Sequence, residues 1–440
     1  MKMANNSFVK KSNFEYEKTI NYTLPLIDED NIYNASDLLE IIKKVDATLV
    51  GTQKICYLRG FQANAEDSGF PNFFEICSSL KRECDATAKE SLYWLIDGAS
   101  EYNTKVSIVL NFTWANKESN LYELYRQNDL LLKNNDGNLL YAINSYGNAV
   151  NLINISKELE CGFLNRRLEK LNEIIPLKKL GTVLIEDFKV RPSIDTDISL
   201  MKQAREKIVK LINKYGADVC LDYLYFEKED GENKESLTSL CPFIFNLSQS
   251  LIDYMKRPAS YLCGGKTTNL YKECESKNMH LLFGESVDIA SIYNDKNFSL
   301  KLFKEFCTKY LKYRFLNGLD RLSATIEGQE VCVNFSKNVV TYLTEDRLTI
   351  NGVTAKQGNE LVLPTDFIEK GSAVVYTEKG GQIDWNLSKI LGYASSQNIE
   401  LLEITKEGLS EKKRLTRLNG GMLELDLEPG KPTAFLITRL

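Results

Sequence analysis

Two apolar runs in the middle of the chain end in carboxylates. GTVLI (181–185) is followed by Glu186 and Asp187, and ADVCL (217–221) by Asp222, with one helical stretch between them. Neighbouring parallel strands lie about 4.8 Å apart. On such strands the two carboxyls stand roughly 5–5.5 Å from each other, the separation at which one attacks an acetal carbon and the other protonates the leaving oxygen, with retention of configuration. The first charge and burial raise the pKa of the second, as an acid catalyst needs. Adjacent strand residues face opposite sides, so only one of Glu186 and Asp187 points the same way as Asp222. Glu186 is the first choice and Asp187 the reserve. The same side chains also read as rim carboxylates paired with Lys189 or Arg191.

A second polar cluster, Arg59, Gln62, Glu66 and Asp67, follows the run KICYLRGF (54–61). These residues suit hydrogen bonds to sugar hydroxyls, and Phe61, Phe70 and Trp114 suit stacking on a ring. Glu285 ends the run MHLLFGES (279–286) and is a further candidate for the site. His280, the single histidine of the chain, begins that run and is expected at the opposite, structural end. One histidine excludes H-E-x-x-H zinc sites and histidine clusters, and any Ser-His-Asp mechanism would have to run through His280. No metal and no cofactor is expected. CGGKTT (263–268) resembles the end of a phosphate-binding loop, but Ser260 stands where the first glycine is required. Lys189 and Lys266 are the loosely placed candidates for a Schiff-base lyase or aldolase.

These residues need a scaffold. Seven short apolar runs, at 54–61, 105–112, 181–188, 217–226, 242–248, 258–265 and 279–286, have the continuous character of buried parallel strands. Amphipathic stretches at 87–103, 157–174 and 201–216 alternate with them. The alternation implies an α/β fold, a (β/α)8 TIM-like barrel whose active site lies at the C-terminal strand ends. A doubly wound open sheet is the alternative. Past residue 320 the pattern becomes alternating apolar and polar residues between Gly, Asn and Pro turns, which reads as an all-β sandwich. The expected organisation is a lead-in packing on the barrel (1–40), the barrel (41–322) and the sandwich (323–440).

The 440 residues carry a net charge of −5, against a nucleic-acid partner. No apolar stretch reaches the length of about 18 residues that a membrane helix needs. Ten scattered cysteines without C-x-x-C, and a start without a signal-peptide pattern, suggest reduced thiols and a cytoplasmic protein. The oligomeric state is left open.

The string YLRGFQANAEDSGFP resembles the YL-x-GWQ…DSG-x-P segment of endo-α-N-acetylgalactosaminidase-type enzymes, glycoside hydrolase family 101 and its close relatives. The resemblance continues through ESLYWLIDGASEYNTKVSIVLNFT, NDLLLKNNDGNLL, GTVLIEDF and YGADVCLDY, and into the second region at RLTINGVTAKQGNELVLP and LEPGKPTAFLI. It implies a carbohydrate substrate and retaining hydrolysis of an α-linked galactose or N-acetylgalactosamine unit. Glu186 stands at the position of the family's nucleophilic Asp, and Asp222 at that of its acid/base Glu. By the same carry-over Asp67 contacts the sugar hydroxyls and Asn111 lines the pocket. Gln62 and Glu285 complete the expected substrate contacts. The rival expectation is a carbohydrate-binding protein that keeps the fold without turnover.

Overall fold

The computed structural model describes residues 12–28, 31–64, 68–144, 147–224, 237–247, 289–327, 330–365 and 368–440. The chain divides into two compact units. The first contains Asn21–Ile42 and Lys54–Asn246, and the second Tyr16–Ile20, Lys43–Gln53 and Leu247–Leu440.

The first unit is built on a six-stranded sheet: β1 (Ile20–Pro25), β2 (Lys54–Arg59), β3 (Thr104–Leu110), β4 (Thr182–Ile185), β5 (Asp218–Leu224) and β6 (Ile244–Leu247). The pairs β2–β3, β3–β4 and β4–β5 are parallel. Spatial order follows chain order throughout, whereas a doubly wound sheet reverses its order partway. The sheet is also curled. The rings of Tyr57 on β2 and Phe245 on β6 lie 6.2 Å apart, although four flat strand spacings would separate them by roughly 19 Å. Tyr57 Oη also meets Cys220 Sγ on β5 at 3.3 Å. These contacts define a concave interior face with barrel-type curvature. The expected strands at 258–265 and 279–286, with His280 and Glu285, lie outside the described residues. Residues 20–25, expected only as lead-in, form strand β1 next to β2, at the end of the sheet order among the described residues.

The connecting helices follow the apolar spacing. α1 (Ala35–Thr48) joins β1 to β2. α2 (Ala88–Ser100) starts with a capping box in which Thr87 Oγ1 accepts from Glu90 N at 3.2 Å and the Glu90 carboxylate accepts from Thr87 N at 3.3 Å. It buries Leu92, Leu95, Ile96 and Ala99, each large aliphatic residue contributing roughly 1.5–3 kcal/mol. The stretch 157–174 is two helices rather than one. Gly162 takes φ +76° between Ile155–Glu160 and α3 (Phe163–Ile174), a conformation costly for any residue with a Cβ. α4 (Ile198–Lys214) starts at Asp197, whose side chain accepts from Ser199 N at 2.6 Å.

The N-terminal strand ends are closed by the lead-in. Asn13 N donates to Asp218 Oδ2 at 2.6 Å, and Asn13 Nδ2 donates to the carbonyls of Gly181 and Gly216 at 2.7 and 3.0 Å.

The second unit carries a ten-stranded sheet whose described pairings are all antiparallel. Arg321–Glu327 to Ala373–Thr377 form a seven-stranded meander, followed in space by Thr433–Arg439, Asn398–Thr405 and Gly408–Arg417. Gly381–Asn386 and Met422–Leu427 pair as a separate ribbon. The expected all-β region is present, with most of its strands joined in one continuous sheet. Among the described residues no helix is long and apolar enough to cross a membrane.

A buried ion pair fastens the loops above the first unit's strands. Arg167 of α3 meets Glu158 at 2.7 and 2.9 Å, donates to the Pro71 carbonyl at 2.7 Å, and lies over the rings of Phe73 and Phe112. Tyr125 Oη donates to the same Glu158 carboxylate. Removing one member leaves a buried charge unopposed. Glu158→Ala is therefore expected to destabilise the protein by about 3–5 kcal/mol, measured by denaturant unfolding. A loss below about 1 kcal/mol would contradict the role given to this pair.

Candidate active site

Register decides which side chains share the concave face. Val109 pairs with Leu184 and Ile185 with Leu221, which places Asn111, Glu186 and Asp222 at one level, the first two just past the ends of β3 and β4 and Asp222 within the C-terminal half of β5. In a parallel sheet, residues at equal register point to the same side. Tyr57, Thr182 and Cys220, which touch one another across the interior, have the same parity and mark this side as the concave one. Arg59 also has this parity, two positions below the carboxylates in register.

Arg59 joins the site across the curl. Its Nη1 lies 3.5 Å from Glu186 Oε2 and its Nη2 lies 3.7 Å from Asp222 Oδ2. β2 and β5 are three strands apart, roughly 14 Å in a flat sheet, so curvature is what brings the cation to both acids. The Glu186 residue is buried. The Asp222 side chain is 31% exposed. Desolvation pushes its carboxyl above the usual carboxylate range, Arg59 opposes this, and the charge of Asp187 adds to it.

Asp187 faces elsewhere. It breaks the strand with φ +40°, accepts from Trp114 Nε1 at 2.6 Å, and is paired with Arg191 at 2.8 Å. Its carbonyl accepts from Thr113 Oγ1 at 2.9 Å and from Lys189 N at 2.7 Å. On the next residue, the Phe188 carbonyl accepts from the buried Arg205 of α4 at 3.0 Å. The turn after Glu186 is thus fixed from three directions. The pairing with Arg191 expected for a rim carboxylate is that of Asp187.

Asn111 is fully buried. Its Oδ1 accepts from Thr113 N, Thr113 Oγ1 and Trp114 N at 2.8–3.0 Å, which orients the amide and leaves the buried Nδ2 without a hydrogen-bond partner among the described residues. Gln62 is also fully buried, its backbone bridged to Ile76. Phe61 and Phe70 are core residues, 0% and 2% exposed, so neither presents a ring face to a ligand. That expectation is corrected, and the indole N–H of Trp114 is committed to Asp187. Asp67 and Glu285 lie outside the described residues. The structure therefore brings together Arg59, Glu186, Asp222 and the level of Asn111. Arg59 was legible as a polar residue at a strand end; its span across the sheet was not. Among the described residues no group of three or more His, Cys, Asp and Glu side chains converges as a metal site.

No family model and no curated protein matches the sequence. Among solved structures, alpha-N-acetylgalactosaminidase NagBb from Bifidobacterium bifidum in its GalNAc complex gives a TM-score of 0.55 at 8% identity, covering 76% of this chain and 58% of that one. Its ligand-free form gives 0.53 at 9% identity, covering 76% and 59%. The chain thus spans less than two thirds of that enzyme's length. The likeness is one of fold alone.

The raised Asp222 carboxyl has a consequence for stability. The unfolded chain ionises this group at a lower pH than the folded one, so the group weakens folding as pH rises above its unfolded value of about 3.9. Asp222→Asn is expected to raise the melting temperature at neutral pH, with the gain vanishing below about pH 4. Melting curves of both proteins across pH check this; an equal or lower Tm for the variant at pH 7 contradicts it.

Proposed function

We propose that this protein is a retaining glycoside hydrolase acting on α-linked galactose or N-acetylgalactosamine units. The observation that carries the reading is a pair of carboxyls at one register level on neighbouring parallel strands, sharing one guanidinium, with the second carboxyl pushed toward its protonated form. In the proposed mechanism Glu186 attacks the anomeric carbon as Asp222 gives its proton to the leaving oxygen, and a glycosyl ester forms on Glu186. Asp222, now ionised, takes a proton from water; the water oxygen attacks the same carbon and Glu186 leaves. Asn111, Gln62, Asp67 and Glu285 remain proposed contacts. The choice of sugar is supported by the motif resemblance to family 101, and by a fold neighbour that is an alpha-N-acetylgalactosaminidase. The free thiols among the described cysteines suit a cytoplasmic setting.

Aryl α-galactosides and α-N-acetylgalactosaminides test the reading. Glu186→Gln is expected to abolish turnover of every substrate while calorimetry still detects sugar binding. Asp222→Asn is expected to lose about a hundred- to ten-thousandfold on poor leaving groups and far less on activated ones, which need no acid. The first-formed sugar should carry the α configuration. Binding without turnover in the unaltered protein would favour the carbohydrate-binding alternative, and a β product would overturn retention.

A further inference from the structure

Two arginines meet carboxylates at this end of the sheet, and they do so differently. Arg191 holds Asp187 at 2.8 Å, with Trp114 Nε1 on the same oxygen at 2.6 Å. That is a closed structural pair. Arg59 stands 3.5 Å from Glu186 and 3.7 Å from Asp222, beyond the roughly 2.7–3.2 Å of an N–H···O hydrogen bond. It acts on both acids by charge and places each against a different nitrogen of one rigid plane, without a short bond to the oxygen it faces.

We propose that Arg59 is the positioning residue of the acid pair: its guanidinium, reaching across the concave face from β2, sets the relative place of Glu186 and Asp222 and the charge balance between them. This rests on Glu186 and Asp222 being the reacting acids. Arg59 lies two register positions below the carboxylates, so its long side chain must extend along the strand direction to bring the fork level with them. A planar fork serves two carboxyls at once, whereas an ammonium is a single point of charge on a flexible stem. One cation between two acids also leaves the pair a net negative charge when both are ionised, which favours a single proton on the pair. The charges acting on Asp222 among the described residues are Arg59 from β2 and Asp187 from the turn after β4, with Glu186 sharing Arg59. Asp187 is itself paired with Arg191, and among the described residues Arg59 is a cation set directly against both members of the acid pair.

The test separates charge from shape with Arg59→Gln and Arg59→Lys in the full-length protein, both checked for native amide NMR spectra. In Arg59→Gln, the Asp222 carboxyl titration followed by 13C NMR should move up by about one pH unit. The alkaline limb of kcat/KM should move with it. In Arg59→Lys the charge stays, so titration and limb should stay near those of the unaltered protein. The fork is lost, however, and kcat should still fall about ten- to a hundredfold. An unmoved Asp222 titration in Arg59→Gln, or an unaltered kcat in Arg59→Lys, would overturn the proposal. If no glycoside is turned over but the titration still moves, the hydrolytic reading fails and the coupling of Arg59 to Asp222 stands.

Discussion

The site depends on one electrostatic arrangement: a single guanidinium set against two carboxylates at the mouth of a curled sheet. Neighbouring strand ends alone would place two negative charges side by side in a partly desolvated space, at a cost to folding. Arg59 offsets that cost, and it can do so only because the sheet curves enough to bring β2 across to β5. The curvature is therefore what assembles the cluster. Tyr57, against Thr182, Cys220 and Phe245 lower in the interior, fills the space beneath the ion cluster.

Around this cluster the remaining polar groups work as fastenings. Arg205 on the Phe188 carbonyl, Arg191 and Trp114 on Asp187, and Thr113 on the Asp187 backbone hold the turn after β4. Arg167 and Glu158 hold the loops that carry Pro71, Phe73 and Phe112. The polar contacts among these are 2.6–3.0 Å long. The contacts of Arg59 to Glu186 and Asp222 are longer, 3.5 and 3.7 Å.

Much of this was legible in the sequence. Buried parallel strands read as continuous apolar runs, so the five runs between 54 and 248 were found, each within a few residues of its true ends. The two-residue period of a strand separated Glu186 from Asp187, and the register puts Glu186 with Asp222 and sends Asp187 to Arg191. What could not be read was contact across the curl. Spacing along a chain indicates which strands are neighbours but not which residues meet across a concave face, so Arg59 looked like one polar residue among several. Phe61 and Phe70 were candidates for stacking on a sugar ring, but residue type alone does not say which way a ring faces, and both are folded into the core. Gly162 divided what its apolar period presented as one helix, and Ile20–Pro25 had too mixed a pattern to announce a strand.

The most direct measurement is covalent trapping. A 5-fluoro galactosyl donor that forms the glycosyl-enzyme ester quickly and releases it slowly, followed by peptide mass mapping, locates the nucleophile. The account predicts one added glycosyl mass, carried by Glu186 and absent from Glu186→Gln. A label on Asp187 instead, or turnover of glycosides with inverted product and no label, would contradict it.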